Sequence, residues 1–427
     1  MVCRTLLTKE ELLMKKLAII GSGIAGMSAA YFLKDHYDIT LFEKDSYIGG
    51  HTNTVDVHDG EKECPMDTGF MVFNEKTYPN LIKLFEKLNV PIKNTDMSFS
   101  VRNDELDLEF NGSSLSGIFS QKKNLFNFKF LKMIREILKF NSHAPFVIED
   151  PRYSEMSIGT YLSERGHSEY FFENFLAPMS SAVWSTPTNR MKEFPAKSLI
   201  QFFFNHGFVG VNTQLQWKTV DGGSRVYRDL LINSFKDKIK VNSGVTSVVQ
   251  NESNFIIKTA QGDFEFDKVI VCSHADEALG MLENPTVEQT KVLSKFKYQR
   301  NMATVHTDSS IMPNLKANWS SWNFLMKKSK QYTVYYMNKL QGVSDKQDFF
   351  VNINGEEFID KSKIIQSIEY HHPIFDVDSA IAQTKIDSLN ANSEIHFSGS
   401  YYRYGFHEDA LLSSVELCST ILGKRVL

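Results

Sequence analysis

Three glycines near the amino terminus limit what this chain can fold into. Gly21, Gly23 and Gly26 follow a short apolar run and precede a stretch with a helical pattern. This order predicts a strand over residues 17–20, a tight turn, and a helix over residues 27–33. In such a unit the first glycine permits the turn, the second lets a pyrophosphate approach the backbone, and the third lets the helix pack closely on the strand. The pattern therefore predicts a dinucleotide site with its phosphates at the helix N-terminus.

A second strand, predicted over residues 38–42, ends on the acid that such a site needs. This acid is Glu43, 22 residues after Gly21, and its carboxylate can accept hydrogen bonds from an adenosine ribose. The residues expected to bind the dinucleotide in this unit are Gly21, Ser22, Gly23, Ile24, Ala25, Gly26, Glu43 and Lys44.

A second glycine cluster, Gly49-Gly50-His51-Thr52, distinguishes two classes of dinucleotide. A nicotinamide domain needs nothing particular after the ribose acid. A flavin domain returns its chain past the pyrophosphate and ribityl chain, where adjacent glycines allow a close approach. The cluster therefore favours a flavin, and an ordinary glycine loop is the alternative.

Residues 43–52, EKDSYIGGHT, resemble the acid and double-glycine signature of the flavin amine oxidase and phytoene desaturase superfamily. Residues 64–70, CPMDTGF, resemble the segment that passes the flavin ring. The stretch DGGS at 221–224, followed by Val245, resembles the part that lays a backbone against the adenine. Residues 267–276, DKVIVCSHAD, resemble the strand that returns to the dinucleotide sheet. The resemblance implies FAD, bound noncovalently, with further contacts from Gly49, Gly50, His51, Thr52, Gly69, Phe70, Met71 and Val245.

The last part of the chain, residues 395–417, resembles the terminal strand and helix of that superfamily. There the helix points at the flavin ring, where its unpaired amides stabilise the negative charge of the reduced ring. The resemblance implies this role for the backbone of His407, Glu408, Asp409 and Ala410, and places Gly399 and Ser400 near the pyrophosphate. The side chains of His407 and Glu408 are expected to cap the first turn.

A narrower resemblance covers nearly the whole chain from Lys15. It is to a bacterial subfamily described as predicted NAD/FAD-binding or amine-oxidase-like proteins, often associated with cyclopropane-fatty-acid synthases. Its motifs here are SSAVWSTP (180–187), FFFNHG (202–207), ATVHTD (303–308), WSSWN (319–323), YYMNKLQ (335–341), HHP (371–373) and YGFHEDA (404–410). This association implies a lipid-methylating enzyme as a partner.

Together these motifs imply an α/β fold with two domains. A discontinuous Rossmann-like FAD-binding domain is expected over residues 15–85, 213–275 and 393–427. An α+β substrate domain, amine-oxidase-like, is expected over residues 86–212 and 276–392. Residues before Lys15 are expected to be an extension without function.

Two departures from the superfamily argue against an amine substrate. The strand RNMATVHTD at 300–308 lacks the lysine that amine oxidases usually carry there. One position of the aromatic cage that frames the ring matches Phe406, and the other falls near His371 and His372. The departures are compatible with oxidation of a carbon–carbon bond.

Three histidines are candidates for proton transfer, because imidazole titrates near neutrality. His372 is the first choice, since it precedes Pro373 and is expected to face the flavin ring; His306 and His206 lie in other subfamily motifs. Each could instead be a structural histidine held by hydrogen bonds. Asp67 and Asp308 could pair with such a histidine.

Composition excludes several other classes of protein. The net charge of −4 gives no general attraction to nucleic acid. No apolar run approaches the roughly 18 residues of a membrane span, and no secretory signal is recognisable. Four scattered cysteines, Cys3, Cys64, Cys272 and Cys418, suggest neither a disulfide framework nor a metal site. A cytoplasmic protein without a bound metal is expected.

One amphipathic stretch bears on the substrate. Within residues 121–140, a helical projection places Phe126, Phe130, Ile134, Ile137 and Leu138 on one face. Its other face carries Lys129, Lys132, Glu136 and Lys139. This helix either packs on its own domain or lies on an anionic bilayer at the inner face of the membrane.

Three functions are compatible with these patterns. The first is an FAD-dependent oxidoreductase that transfers a hydride from an apolar substrate, such as a membrane-lipid acyl chain, to flavin N5. The second is a flavin amine oxidase. The third is a noncatalytic flavoprotein that serves as a scaffold for a lipid-modifying partner. The sequence identifies neither the substrate nor the final electron acceptor.

Overall fold

A computed structural model describes residues 14–209, 215–391 and 393–427. The amino-terminal extension before Met14 lies outside the described residues, as does the expected domain boundary between residues 212 and 213. The strands, in chain order, are β1 (Lys16–Ile20), β2 (Asp38–Phe42), β3 (Thr54–His58), β4 (Glu63–Asp67), β5 (Phe73–Asn74), β6 (Ile92–Thr95), β7 (Phe99–Asn103), β8 (Leu108–Asn111), β9 (Trp217–Val220), β10 (Ile239–Lys240), β11 (Val245–Gln250), β12 (Phe255–Thr259), β13 (Gly262–Phe266), β14 (Lys268–Val271), β15 (Lys297–His306), β16 (Trp322–Lys327), β17 (Lys330–Tyr336), β18 (Phe350–Ile353), β19 (Ile364–Ile374) and β20 (Ile395–Phe397).

The α-helices connect these strands and cover the faces of the sheets. In chain order they are α1 (Ile24–Leu33), α2 (Pro79–Leu88), α3 (Leu115–Ile118), α4 (Phe128–Glu149), α5 (Ile158–Glu164), α6 (Glu169–Phe171), α7 (Ala177–Trp184), α8 (Ala196–Asn205), α9 (Arg225–Ile232), α10 (Ala275–Met281), α11 (Val287–Leu293), α12 (Met337–Gln341), α13 (Val377–Gln383), α14 (Ile386–Asn390) and α15 (His407–Leu422).

The first large sheet has five parallel strands, in the order β10-β2-β1-β14-β20. Residues 17–20 of β1 are buried on both faces, as is usual for a central parallel strand. The observed β2 has the predicted bounds, whereas α1 begins at Ile24, three residues before the predicted start. This α/β architecture is the predicted fold class.

A seven-stranded mixed sheet, in the order β19-β15-β18-β17-β16-β7-β8, forms the second large sheet. Strands β15 and β19 pair antiparallel along the whole length of β15. The helices α4, α5, α7 and α8 share one hydrophobic cluster with strands β7, β8 and β16.

One small sheet crosses the predicted domain boundary. Strand β9 pairs with both β5 and β6. The sequence analysis placed β6 in the substrate domain and β9 in the FAD-binding domain, so the two predicted segments share this sheet.

The amphipathic prediction for residues 121–140 is wrong in part. Helix α4 begins only at Phe128, and Phe126 lies in a preceding 3-10 turn with 83% of its surface exposed. Leu138, predicted on the apolar face, is half-exposed. Glu136, predicted on the polar face, is buried because it accepts hydrogen bonds from the amide and hydroxyl of Ser168.

The helices of the described residues include none that combines the length and the apolar character needed to cross a membrane.

Candidate functional site

A large cavity lies where the two major sheets meet. Its volume is about 710 Å³. The parallel sheet contributes the loops that follow β1, β2, β14 and β20, and the mixed sheet contributes side chains of β16, β17 and β19. Because ligands of parallel α/β sheets bind at the carboxyl ends of the strands, this is where a dinucleotide is expected.

Three of the predicted glycines have distinct physical roles at this edge. A Cβ on Gly26 would lie 1.9 Å from the carbonyl oxygen of Gly21, so this position requires glycine for helix packing. A Cβ on Gly23 would meet nothing within 4 Å, and a Cβ on Gly50 would lie 3.3 Å from the Cα of Gly23. Gly23 therefore leaves an open space at the N-terminus of α1, whereas Gly50 packs closely on the Gly23 backbone.

Gly49 and Thr52 do not line the cavity, contrary to what the resemblance implied. Gly49 has φ +136°, and a Cβ there would lie 2.4 Å from the carbonyl oxygen of Thr52. Its conformation shapes the turn that brings Gly50 and His51 to the cavity wall. Gly69 and Phe70 reach the wall beside them, since the Phe70 amide donates to the His51 carbonyl at 2.7 Å.

The predicted acid lies at the end of the cavity where an adenosine is expected, and we call this the adenosine end. Glu43 lines it and accepts hydrogen bonds from Ser22 and from the amide of Asp45, which is 2.9 Å from Oε1. Lys44 pairs with Glu277 at 2.8 Å. The other predicted residues that line the cavity include Gly21, Ile24, Ala25, Met71, Val245, Gly399 and Ser400.

The amino end of α15 reaches the cavity at His407 and Ala410. The first hydrogen bond within this helix runs from the Ala410 amide to the Phe406 carbonyl at 3.1 Å, so the amides before it have no acceptor inside the helix. The His407 ring stacks on Phe70, with centroids 3.9 Å apart, and its Nε2 lies 2.8 Å from the Tyr227 hydroxyl. Burial lowers the pKa of His407 to about 3, so its ring is neutral.

The next two side chains of α15 turn away from the cavity. Glu408 accepts from the amides of Asn80 and Leu81 and so caps α2. Asp409 accepts from the amides of Tyr404 and Phe406, which fixes the loop before α15. Burial raises the pKa of Asp409 to about 7.

His372 lines the cavity. A chain of hydrogen-bonded amide side chains fixes which of its two ring nitrogens carries the proton. The Met302 amide donates to Asn354 Oδ1 at 2.9 Å, and Asn354 Nδ2 donates to Asn301 Oδ1 at 2.6 Å. Asn301 Nδ2 then donates to His372 Nδ1 at 2.7 Å. In the neutral ring Nδ1 is therefore the acceptor and Nε2 carries the proton. Burial lowers the pKa of His372 to about 4, which keeps the ring neutral.

His51 stands beside this histidine. Its ring stacks on Tyr370 at 4.9 Å between centroids and lies 5.1 Å from the His372 ring. The Nε2 of His51 is buried without a hydrogen-bond partner among the described residues. A bound ligand could satisfy this atom.

The other two candidate histidines do not line the cavity. His306 ends β15, where its Nδ1 accepts from the Asp308 amide and its ring stacks on Phe350. His206 directly follows α8, and its Nδ1 lies 2.8 Å from the carbonyl oxygen of Phe202. Both are buried, and burial lowers each pKa to about 4. These contacts are those of structural histidines.

Neither of the two aspartates pairs its carboxylate with a histidine. Asp67 accepts from the amide and hydroxyl of Ser224, and from Gln341 Nε2 at 2.8 Å. Asp308 accepts from Lys363 and from the Asp360 amide. Hydrogen bonds to each carboxylate therefore connect segments that are distant in sequence.

A large group of apolar side chains lines the cavity, and we call it the apolar wall; β19 also lines the cavity with His371 and His372. The apolar wall consists of Met97, Val183, Trp184, Phe202, Phe208, Trp217, Trp322, Tyr335, Ile368 and Phe406. Among the described residues, the carboxylates lining the cavity are Glu43, Asp45 and Glu277, all at the adenosine end. Phe406, the residue at the expected cage position, stacks on Phe202 with centroids 4.9 Å apart.

Sequence reasoning did not find Gln299, Asn301 and Asn354. Gln299 Nε2 also donates to Asn301 Oδ1, at 2.9 Å. Residues 299 and 301 are two apart on β15 and share a face, so strand periodicity could have grouped them. Asn354 reaches them only through the pairing of β15 with β18.

The residues at this edge fit FAD. The open space beside Gly23 suits a pyrophosphate, because a side chain at this position would enter it. Glu43 can accept from a ribose, and the free amides of α15 can stabilise negative charge at the far end. Cys272 lines the cavity, but burial raises the pKa of its thiol, so it is a poor nucleophile for covalent attachment.

Comparison with known proteins adds a family and a fold. Residues 24–311 match the family described as flavin containing amine oxidoreductase. Putrescine oxidase, in a structure bound to putrescine, superposes with a TM-score of 0.68 at 16% identity, covering 96% of this chain and 100% of that chain. A fatty acid isomerase from P. acnes that produces CLA superposes with a TM-score of 0.67 at 13% identity, covering 95% and 98%.

A short sequence match also exists to an uncharacterized protein of Acanthamoeba polyphaga mimivirus. It is 41% identical over 70 residues, which is 16% of this chain. The matched part spans 14% of the length of that protein.

Proposed function

Because this chain belongs to the flavin containing amine oxidoreductase family, we propose that it is an FAD-dependent oxidoreductase whose substrate is apolar. When bound, FAD supplies the acceptor for a hydride, at the flavin N5. The residues of the chain bind and orient the substrate and exclude water from it. An acyl chain of a membrane lipid is the substrate class that we propose.

The observation that carries this proposal is the distribution of charge around the cavity. A carboxylate near the binding position is one way to hold a protonated amine, and a cage of aromatic faces is another. In the described part of the chain, the carboxylates of the cavity wall lie at the adenosine end, beside Ser22 and Lys44. The opposite wall is aromatic and aliphatic, which suits burial of a hydrocarbon.

The β15 strand supports the same choice. The cations of β15, Lys297 and Arg300, are exposed and pair with Asp376 and Glu369, and neither lines the cavity. Lys44, at the adenosine end, is the lysine that lines the cavity among the described residues. No cationic side chain of the described residues therefore reaches the apolar wall.

His372 would act as a hydrogen-bond donor to the substrate. Its Nδ1 is occupied by Asn301, and its Nε2 carries the proton. A neutral donor in an apolar cavity favours a substrate with one acceptor atom, such as an ester carbonyl or hydroxyl oxygen. This role replaces the proton transfer that we expected from the sequence.

Two likenesses are compatible with a lipid substrate. The fold is shared with a fatty acid isomerase, and the sequence resembles a bacterial subfamily associated with cyclopropane-fatty-acid synthases. We therefore propose a lipid-methylating enzyme as the functional partner.

The test is anaerobic reduction of the flavin in the holoprotein. Phospholipids with unsaturated or cyclopropane acyl chains are mixed with the protein, and putrescine and cyclohexylamine are the amine probes. We expect the lipids to bleach the visible flavin absorbance and the amines to leave it unchanged. Phe202→Leu, in the cavity wall, should slow this reduction, whereas Phe204→Leu, exposed on the same helix, should not. Reduction by the amines alone would establish an amine oxidase instead, and reduction by neither class would favour a scaffold.

A further inference from the structure

An exposed apolar surface lies in the helical region that shares a hydrophobic cluster with the apolar wall of the cavity. Four large side chains between residues 115 and 128 are half to almost fully exposed: Leu115 (78%), Leu125 (48%), Phe126 (83%) and Phe128 (87%). Leu125, Phe126 and Phe128 lie within four residues of one another, and neighbouring exposed apolar side chains usually mark an interaction site. We call these four side chains and the lysines beside them the 115–132 surface.

The backbone beneath this surface is anchored. Asn124 is buried between Lys123 and Leu125, and its Nδ2 donates to the Glu109 carbonyl. Phe119 packs edge-on against the fully buried Phe130, with ring centroids 6.1 Å apart. The exposed side chains are therefore presented by a fixed segment.

The charge of this segment is one-sided. Residues 115–132 contain four lysines, Lys122, Lys123, Lys129 and Lys132, and no acidic residue, although the whole chain has a net charge of −4. All four lysines are exposed. Lys123 pairs with Asp107 from the preceding turn. Aromatic and aliphatic side chains surrounded by lysines are what an anionic bilayer surface selects, since the apolar groups enter the interface and the cations remain at the headgroups.

We propose that the 115–132 surface docks this protein on an anionic lipid bilayer. Phe126 and Phe128 would insert into the interfacial region, and Lys122, Lys129 and Lys132 would contact lipid phosphates. Ile118 and Phe119, which lie between the exposed residues, pack on the hydrophobic cluster that also contains the cavity residues. The surface and the apolar wall of the cavity therefore rest on the same hydrophobic cluster. The surface stands on its own residues and does not depend on the proposed reaction.

The experiment measures binding of the holoprotein to phosphatidylcholine vesicles with and without phosphatidylglycerol, by flotation. We expect binding to the anionic vesicles that weakens with added salt. The pair Phe126→Ser and Phe128→Ser should weaken binding at least tenfold, and Val287→Ser, at an equally exposed valine elsewhere, should not. Lys122→Glu, Lys129→Glu and Lys132→Glu together should remove the preference for anionic vesicles.

A matched control replaces three exposed lysines on other elements, Lys236→Glu, Lys291→Glu and Lys385→Glu, and should bind as the unchanged protein does. The flavin spectrum of each variant shows that its fold is intact. Loss of binding in this control, or no binding to anionic vesicles by the unchanged protein, would overturn the proposal. Dissociation of a dimer by the phenylalanine pair, without vesicle binding, would assign the surface to a second copy of the chain.

Discussion

Ser22 holds Glu43 in place through two donors on one oxygen. The Ser22 amide lies 3.0 Å and its hydroxyl 2.5 Å from Glu43 Oε2. The same hydroxyl accepts from the Gly49 amide at 3.1 Å. Glu43, the first glycine turn and the second glycine cluster are thus joined by hydrogen bonds within the chain.

The first prediction concerns this acid. Glu43→Ala should weaken FAD binding roughly ten- to a hundredfold, because a hydrogen bond to a charged group contributes about 1.5–3 kcal/mol. A fluorescence titration of the apoprotein with FAD measures the change. Glu252→Ala, at an exposed glutamate, is the matched control and should bind FAD normally. An unchanged affinity in Glu43→Ala would show that the adenosine lies elsewhere.

Two glycines of the same turn should behave differently. Gly23→Ala places a methyl group in open space, so we expect normal folding and FAD binding weakened by roughly tenfold or more, as a pyrophosphate contact is lost. Gly26→Ala pushes a methyl group to 1.9 Å from a carbonyl oxygen, and overpacking costs about 1–3 kcal/mol of unfolding free energy. Thermal melts with and without FAD separate the two effects. Equal melting temperatures of both apoproteins would contradict this assignment.

Asp409 should make stability depend on pH. Its pKa is raised by burial from 3.8 to about 7, so between these values the folded protein keeps a proton that the unfolded chain has lost. The stabilisation from this group is complete below pH 3.8 and is lost as the pH rises through 7. Asp409→Asn keeps an oxygen acceptor and removes the titration. The unfolding free energy of the unchanged protein, relative to the variant, should therefore fall by roughly 1–4 kcal/mol over this range.

Chemical unfolding of both proteins at several pH values measures that difference. Asp237→Asn, at an exposed aspartate, is the control and should follow the unchanged protein. A difference that stays constant with pH would show that the Asp409 carboxyl is ionised throughout.

The tautomer of His372 can be observed directly. In protein labelled with ¹⁵N-histidine, NMR should show the proton on Nε2 and no protonation of the ring until the pH approaches about 4. Asn301→Asp should move the proton to Nδ1 and raise the pKa of His372 by roughly 1–3 units, since a carboxylate accepts from Nδ1 and stabilises the cation. Asn251→Asp, at the surface, should change neither. A proton on Nδ1 in the unchanged protein would restore the proton-transfer interpretation.

The sequence by itself determined the parts of the site that depend on local backbone geometry. The strand, turn and helix around Gly21, the acid at Glu43 and the start of α15 at His407 were all predictable. Each of these features depends on residues that are close in sequence. There, steric limits and hydrogen bonds to the neighbouring backbone decide the conformation. The glycine positions were predictable for the same reason, because a Cβ at Gly26 is excluded by its own turn.

Only the tertiary structure decided which of the three candidate histidines lines the cavity. Asn301 and His372 meet because β15 pairs with β19 in one register. His306, five residues further along β15, lies roughly 16 Å from Asn301 at about 3.3 Å per residue, so it cannot share the site. Likewise, Glu136 is buried because Ser168 reaches it from another helix, while Phe126 stays exposed outside α4. Periodicity in a sequence shows which side chains share a face, whereas long-range packing determines what covers that face, because the covering groups come from distant parts of the chain.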